Sequence, residues 1–334
     1  MIAGILGPQG SGKTTLFKAM TGMEPGKSNI GVVKVHDPRI MALSDIFKPK
    51  KTTFAEVDFE DIGNPLKRGR SGMDSQYMEK VGKCDILVLT LGQFYPGNDL
   101  VQDFHGVMDE LILADLSFTE NTLHRWKKEH RSPRELEALA RVVSTLESEK
   151  PAFKSGLSEQ QAGLLQGIRL ATDRQLIVVV NTAEDKDVDI STLRREIGEW
   201  DAQILKICAE VEAEIAEMDT ESQKEFLQDM GVDEPAVQRV IKESFKMMDR
   251  ISFFTTGSDE VKAWPIRRGT VARKAAGKIH SDIERGFIRA EVIACDDFMK
   301  VKDMKIAREK ALLRLEGKEY VVKDGDIINF RFNV

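Results

Sequence analysis

Cysteine is scarce: the 334 residues hold three, at 84, 208 and 295, odd in number and without metal-ligand spacing. That excludes a disulfide framework and suits a reducing cytosol. The five histidines, at 36, 105, 124, 130 and 280, form no ligand pattern, and His124 and His130 read as solvated helix residues. No apolar run approaches the ~18 residues of a membrane span. Repeats and low-complexity stretches are missing too. The N-terminus lacks a basic leader, and its short apolar stretch Ile2–Leu6 is needed as a strand, so no signal peptide is expected. These absences point to a cytoplasmic protein without membrane contact.

A hydrophobic content of 41% beside 31% charged residues is that of a globular chain, and its length predicts two or three domains. The net charge of −6 is uneven: residues 251–334 carry +4 and residues 1–250 carry −10. A mildly basic tail on an acidic body is compatible with a polyanionic partner such as RNA.

Strand and helix alternate through the first hundred residues. Val32–Val35, Phe54–Phe59, Ile86–Thr90 and Leu176–Val180 read as strands, and Asp37-Pro38 opens a helix as cap and first residue. This order predicts an α/β fold with a doubly wound parallel sheet. Residues 111–170 are almost wholly helical, and Ser132-Pro133-Arg134-Glu135 is a capping box inside them. The pattern predicts an antiparallel helical hairpin, readable either as a structural insertion or as an arm that meets a partner. Residues 171–250 resume the first domain, with a strand at Ile204–Cys208 and helix starts at Thr220 and Asp233. From residue 251 short apolar runs, among them Tyr320–Val322 and Ile327–Phe332, alternate with turns, as in a small β-rich module.

What is present most clearly is Gly-Pro-Gln-Gly-Ser-Gly-Lys-Thr-Thr at residues 7–15, between an apolar strand and a helix-forming stretch. That is the G-x-x-x-x-G-K-[ST] phosphate loop in its required context. Gly7, Gly10 and Gly12 permit positive φ, so successive N–H groups can face phosphate oxygens, with the helix dipole behind them. Lys13 would reach the β- and γ-phosphates and Thr14 would ligate Mg²⁺. Together with Ser11 and Thr15 these residues form the expected phosphate grip.

Three phosphate-loop classes compete. The loop resembles that of small phosphoryl-transfer kinases, which need an Arg-bearing lid and rarely carry a β-rich tail. ABC-type ATPases require L-S-G-G-Q, which is absent. The GTPase-like class fits the spacing best, because Asn181-Thr182-Ala183-Glu184 follows a strand where the base-reading N-K-x-D belongs. Here Thr182 replaces the Lys and Glu184 is a methylene longer than Asp. A site that misses its hydrogen bonds loses discrimination, so ATP is favoured over GTP.

Longer strings then carry a family resemblance. Residues 204–219, Phe253-Phe254-Thr255-Thr256-Gly257, Glu284–Val292, Leu315-Glu316-Gly317-Lys318 and Val322–Asp326 resemble the YchF-type, Obg-like ATPases across nearly the whole chain. The resemblance implies a P-loop domain in two parts (1–110 and 171–250), the hairpin insertion (111–170) and a C-terminal TGS domain of β-grasp form (251–334). It also implies adenine preference, slow Mg²⁺-dependent ATP hydrolysis, and association with the ribosome or RNA through the TGS domain and hairpin. Cys208 and Ala209 fall in the family's fifth nucleotide-binding motif. Asp61, aligned with the family's D-I-A-G, becomes a catalytic candidate with Lys13 and a metal candidate with Thr14. Asn64 replaces the motif's Gly, Pro65 stands where a water-orienting Gln could follow, and the first switch is shortened at Glu24–Ser28. Two readings stay open: a working ATPase switch, or a nucleotide-binding scaffold whose switches no longer hydrolyse.

Overall fold

The computed structural model describes residues 1–23, 28–63, 75–94, 97–184 and 188–333. In chain order its elements begin with β1 (Ile2–Leu6), α1 (Lys13–Thr21), β2 (Ile30–Val35), α2 (Pro38–Phe47), β3 (Lys51–Thr53) and β4 (Ala55–Gly63). They continue with α3 (Ser75–Lys83), β5 (Ile86–Gln93), α4 (Leu100–Lys128), α5 (Pro133–Glu147), α6 (Glu159–Leu164), β6 (Gln175–Thr182), α7 (Ser191–Ile197) and β7 (Gln203–Ile207). After α8 (Ala209–Glu217), α9 (Thr220–Asp229) and α10 (Ala236–Met247) come β8 (Arg250–Thr255) and β9 (Glu260–Arg267). The chain ends with α11 (Ala272–Ile279), α12 (Ser281–Arg285), β10 (Phe287–Ala294), α13 (Cys295–Val301), α14 (Met304–Glu309), β11 (Arg314–Glu316) and β12 (Asp326–Phe332). No helix among the described residues is long and apolar enough to cross a membrane.

These elements divide into two compact units, residues 1–32 with 58–240 and residues 33–57 with 241–334. A cut near residue 250 therefore misses one feature: α2 and β3, early in the chain, belong with the C-terminal strands.

In the first unit the sheet runs β2-β4-β1-β5-β6-β7. β1 pairs in parallel with β4 and β5, and β5–β6 and β6–β7 are parallel as well. β5 and β6 are almost continuously buried, the signature of parallel strands covered on both faces. Their side chains join Leu6, Phe104, Val107 and Leu111 in one apolar core. The register places Gly92 opposite Asn181, and Asn181 opposite Ile207, so the carboxyl ends of β5, β6 and β7 are level. In open α/β sheets that edge is where ligands bind.

α4 and α5 form the helical hairpin, whose link is closed by the capping box: Ser132 accepts from the Glu135 N–H, and Glu135 reaches back to the Ser132 N–H. α9 opens at Thr220 as the sequence predicts, with Asp219 as its cap, the carboxylate accepting from Glu221 N and Ser222 N. One helix start differs from the sequence reading. α10 opens at Ala236, beyond Asp233, where the Glu212 carboxylate from α8 accepts from Ala236 N and Val237 N.

In the second unit the sheet runs β11-β10-β12-β8-β9-β3, mixed in direction, with α11 packed on it. Ala272, Ala275 and Ala276 of α11 are fully buried against Phe253, Ile266, Val292 and Phe330, giving the β-grasp arrangement. Tyr320–Val322 follows a turn and makes a single bridge, Val271 to Val321, instead of a strand. Tyr320 N donates to Gly317 O and its hydroxyl to Asp326, so the local turn outcompetes extended pairing.

Candidate nucleotide-binding site

Residues 7–12 leave the buried end of β1 and turn into α1. Gly12 is the N-cap of α1 in the left-handed region (φ 85°), with no side chain to cap the helix. A Cβ there would collide with the Asn181 amide nitrogen and pass 3.6 Å from the Phe94 ring. The loop is thus closed on one side by two side chains from distant strand ends, and glycine is what admits them. Gly10 (φ 80°) is exposed with open space around it, and Gly7 is buried.

Lys13 is buried, and its ammonium donates to Pro8 O at 2.7 Å, folding back over the loop. Burial holds its pKa below the ordinary lysine value, with Asp61 pulling it partly back up. Thr14 is exposed and Thr15 half-buried. The Thr14 hydroxyl donates to Asp61 Oδ2 at 3.3 Å, and the other oxygen of Asp61 accepts from Gly63 N at 3.0 Å. Asp61 N in turn donates to Asn29 O at 2.8 Å. The register opposing Ile5 and Asp61 explains why the end of β4 presents this carboxylate beside the loop. The Ser11 hydroxyl is buried without a hydrogen-bond partner among the described residues.

Asn181 ties the far side together. Its Nδ2 donates to Ser11 O at 3.1 Å and its Oδ1 accepts from Ala209 N at 2.9 Å, with all three residues buried. Ala209 is the first residue of α8, and Cys208, its N-cap, is half-buried. Thr182 is buried, its hydroxyl donating to Ile207 O at 3.4 Å. Glu184 is exposed.

The structure therefore brings Gly7, Gly10, Ser11, Gly12, Lys13, Thr14, Thr15 and Asp61 together, and joins Asn181, Cys208 and Ala209 to them. Glu184 follows the end of β6. Phe94 and Asn29 were missed by sequence reasoning; the signal available for Phe94 was an aromatic directly after the carboxyl end of a buried strand. Ser28 bonds Ile30 through both its hydroxyl lone pair and its proton. The rest of the shortened first switch, residues 24–27, and both Asn64 and Pro65 lie outside the described residues.

Chemically, the donor set at Thr14 and Asp61 is hydroxyl and carboxylate oxygen, the hard ligands that suit Mg²⁺. The loop offers an ammonium whose bond is to a neutral carbonyl, an unpartnered hydroxyl and a helix N-terminus, all of which a polyphosphate can satisfy.

Residues 250–333 match the YchF-GTPase_C family model, described as a protein of unknown function. The chain is 34% identical over 364 residues to the ribosome-binding ATPase YchF of Bacillus subtilis (strain 168), covering 100% of each chain. It is 34% identical over 362 residues to the ribosome-binding ATPase YchF of Escherichia coli O157:H7, covering 99% of each. The solved structure of the Schizosaccharomyces pombe YchF GTPase superposes with a TM-score of 0.89 over 99% of this chain and 97% of that one, at 24% identity.

Proposed function

The chain belongs to the YchF family, and from that premise we propose that it is a cytoplasmic nucleotide-binding switch with slow Mg²⁺-dependent ATP hydrolysis that docks on the ribosome. The observation that carries this reading is the pairing of Thr14 with Asp61 beside a preformed glycine loop. Lys13 would exchange Pro8 O for the β- and γ-phosphates, and Asp61 stands at the end of β4 beside the loop. Mg²⁺ would be held by the Thr14 hydroxyl and the Asp61 carboxylate and would neutralise phosphate charge. The loop N–H groups and Lys13 would position the phosphates; Pro65 stands where a water-orienting Gln would follow, which suits slow turnover.

Related proteins are named both ATPase and GTPase, so the base preference rests on residues 181–184. Thr182 donates to Ile207 O and supplies no cation along a base plane, while Glu184 is exposed. Guanine would lose the bonds that select it, and ATP is the preferred nucleotide. The relatives' ribosome-binding names extend to this chain the reading that the TGS-type C-terminal unit and the hairpin meet ribosomal RNA or protein.

A second reading, a nucleotide-binding scaffold without useful turnover, is favoured by Asn64 in place of Gly and by the shortened first switch. One experiment separates them: Mg²⁺-dependent ATP turnover of the wild type against Lys13→Ala, with GTP as competitor in a binding titration. The switch reading expects turnover at least about tenfold above the variant, an order set by losing a phosphate-clamping charge. Equal rates establish the scaffold, and GTP competing as well as ATP overturns the base assignment.

A further inference from the structure

The hairpin tip holds a charge pattern that neither the nucleotide site nor helix packing uses. Along α4, residues 100–122 carry five acidic residues and no Lys or Arg; residues 123–134 carry five Lys or Arg and one Glu. The first stretch is anchored: Leu100, Phe104, Val107, Met108 and Leu111 lie in the core beside the sheet, and Ile112 and Leu116 in a second cluster. At 1.5 Å per residue, Trp126 stands about 20 Å further along the helix axis than Leu111.

The tip is stiff and partly self-neutralised. The Arg131 guanidinium lies 5.2 Å over the Trp126 ring, bonds Glu135 at 3.1 Å and pairs with Glu129 at 3.7 Å. Arg125 reaches the same Glu129 at 3.8 Å. Lys127, Lys128 and Arg134 remain exposed with no acidic partner among the described residues, flanked by the exposed His124 and His130. The macrodipole of α4 favours a cation or two in its last turn. It cannot account for Arg134, which occupies the second position of α5, where the dipole disfavours positive charge.

We propose that the hairpin tip is an RNA-docking surface on which Lys127, Lys128 and Arg134 grip phosphates of a structured RNA. The surface fits phosphate better than protein. No large apolar side chain between Phe118 and Phe153 is exposed, and Trp126 is buried. A protein partner needs such anchors, whereas phosphate contacts need only placed cations. A rigid cationic tip on a chain of net charge −6 concentrates its attraction at one place. The assignment rests on the ribosomal reading above and names the part of the molecule that makes the contact.

The test uses the full chain, a roughly 20-base-pair RNA duplex and purified ribosomes. Fluorescence anisotropy reads duplex binding across salt concentrations; pelleting reads ribosome association. Reversing Lys127→Glu, Lys128→Glu and Arg134→Glu together should weaken duplex binding at least about tenfold and lower the log–log salt slope by about 3. ATP binding should hold, and the charge-retaining set K127R, K128R and R134K should bind duplex as the wild type does. The single exposed change Arg134→Glu carries the same test with a smaller loss if the triple variant misfolds. Unchanged duplex binding in the reversed variant overturns the assignment. So does loss of ribosome pelleting with duplex binding intact, which identifies an acidic protein partner. If duplex binding falls as expected but the wild type never pellets with ribosomes, the tip assignment stands and the ribosomal reading fails. A wild type that binds neither overturns both.

Discussion

Gly12 concentrates three demands at one residue: a left-handed backbone, the start of α1, and room for the Asn181 amide against the loop. The phosphate-loop motif made the first two legible, because its glycine spacing states a backbone requirement. The third was hidden, since residues 12 and 181 are joined only by the register that levels β5, β6 and β7. Asn181 itself was legible by position after a strand, but its two hydrogen bonds, to Ser11 O and from Ala209 N, make it a brace between the loop and α8. Gly12→Ala meets a left-handed cost of roughly 1–2 kcal/mol and must also push Asn181 away. Gly10→Ala, with open space at φ 80°, meets only the first cost. Calorimetric titration with Mg²⁺·ATP should therefore find at least about tenfold weaker binding for Gly12→Ala than for Gly10→Ala, that ratio being ~1.4 kcal/mol. Equal affinities would show that the Asn181 brace does not shape the site.

At the scale of the element, the hairpin was readable from apolar periodicity and from its capping box, both local signals. What holds its base was not. Asp115 on α4 is 1% exposed and accepts from Ala171 N at 3.1 Å, Thr172 N at 2.8 Å and the Thr172 hydroxyl at 2.7 Å. An acidic residue in an amphipathic helix reads as solvated, and only the fold reveals that it clamps the segment entering β6. Glu212 on α8 escaped notice for the same reason: the N–H groups it accepts from, at the start of α10, lie 24 and 25 residues away. Burial pushes the Asp115 carboxyl up to about 6 despite its hydrogen bonds, so the folded chain keeps a proton that the unfolded chain releases near 3.8. Its contribution to stability is then full below pH 3.8 and is lost as the pH rises through about 6. The span corresponds to on the order of 3 kcal/mol. Asp115→Asn removes that titration but turns an amide N–H₂ toward N–H donors, at a cost of about 1–3 kcal/mol. Urea unfolding from pH 4 to pH 7 should show a stability difference, wild type minus variant, that shrinks with rising pH. A difference independent of pH would place the carboxyl in its ordinary range.

For the whole molecule, the nucleotide fold was legible because its strands are continuous apolar runs separated by helices, and the β-grasp unit because its turns are explicit. Their division was not, because nothing local in α2 and β3 states that they join the C-terminal strands. β3 pairs in parallel with β9, with Lys51 opposite Glu260 and Thr53 opposite Lys262, and Thr53 donates to Glu260 at 2.6 Å. In α2, Arg39 bonds Asp324 at 2.8 Å and lies 5.3 Å over Phe254, and Phe47 stacks on Phe298 at 5.4 Å. Asp324 also accepts from Ser252 N at 2.9 Å, so one carboxylate joins α2, β8 and the turn before β12. Ile40 and Leu43 are fully buried. Losing them removes roughly 3–6 kcal/mol of burial, a large share of the 5–15 kcal/mol that holds a typical domain. A fragment cut at 241–333 also exposes the flank of β9 as an unpaired edge open to association. Supplying residues 33–57 through a flexible linker ahead of residue 241 restores both. The linked fragment should melt about 10 °C or more above the cut one, since each kcal/mol is worth roughly 4–8 °C at this size, and should stay monomeric where the cut one associates. Differential scanning calorimetry with light scattering reads both quantities, and two fragments of equal Tm would mean that α2 and β3 are carried by the C-terminal strands without supporting them.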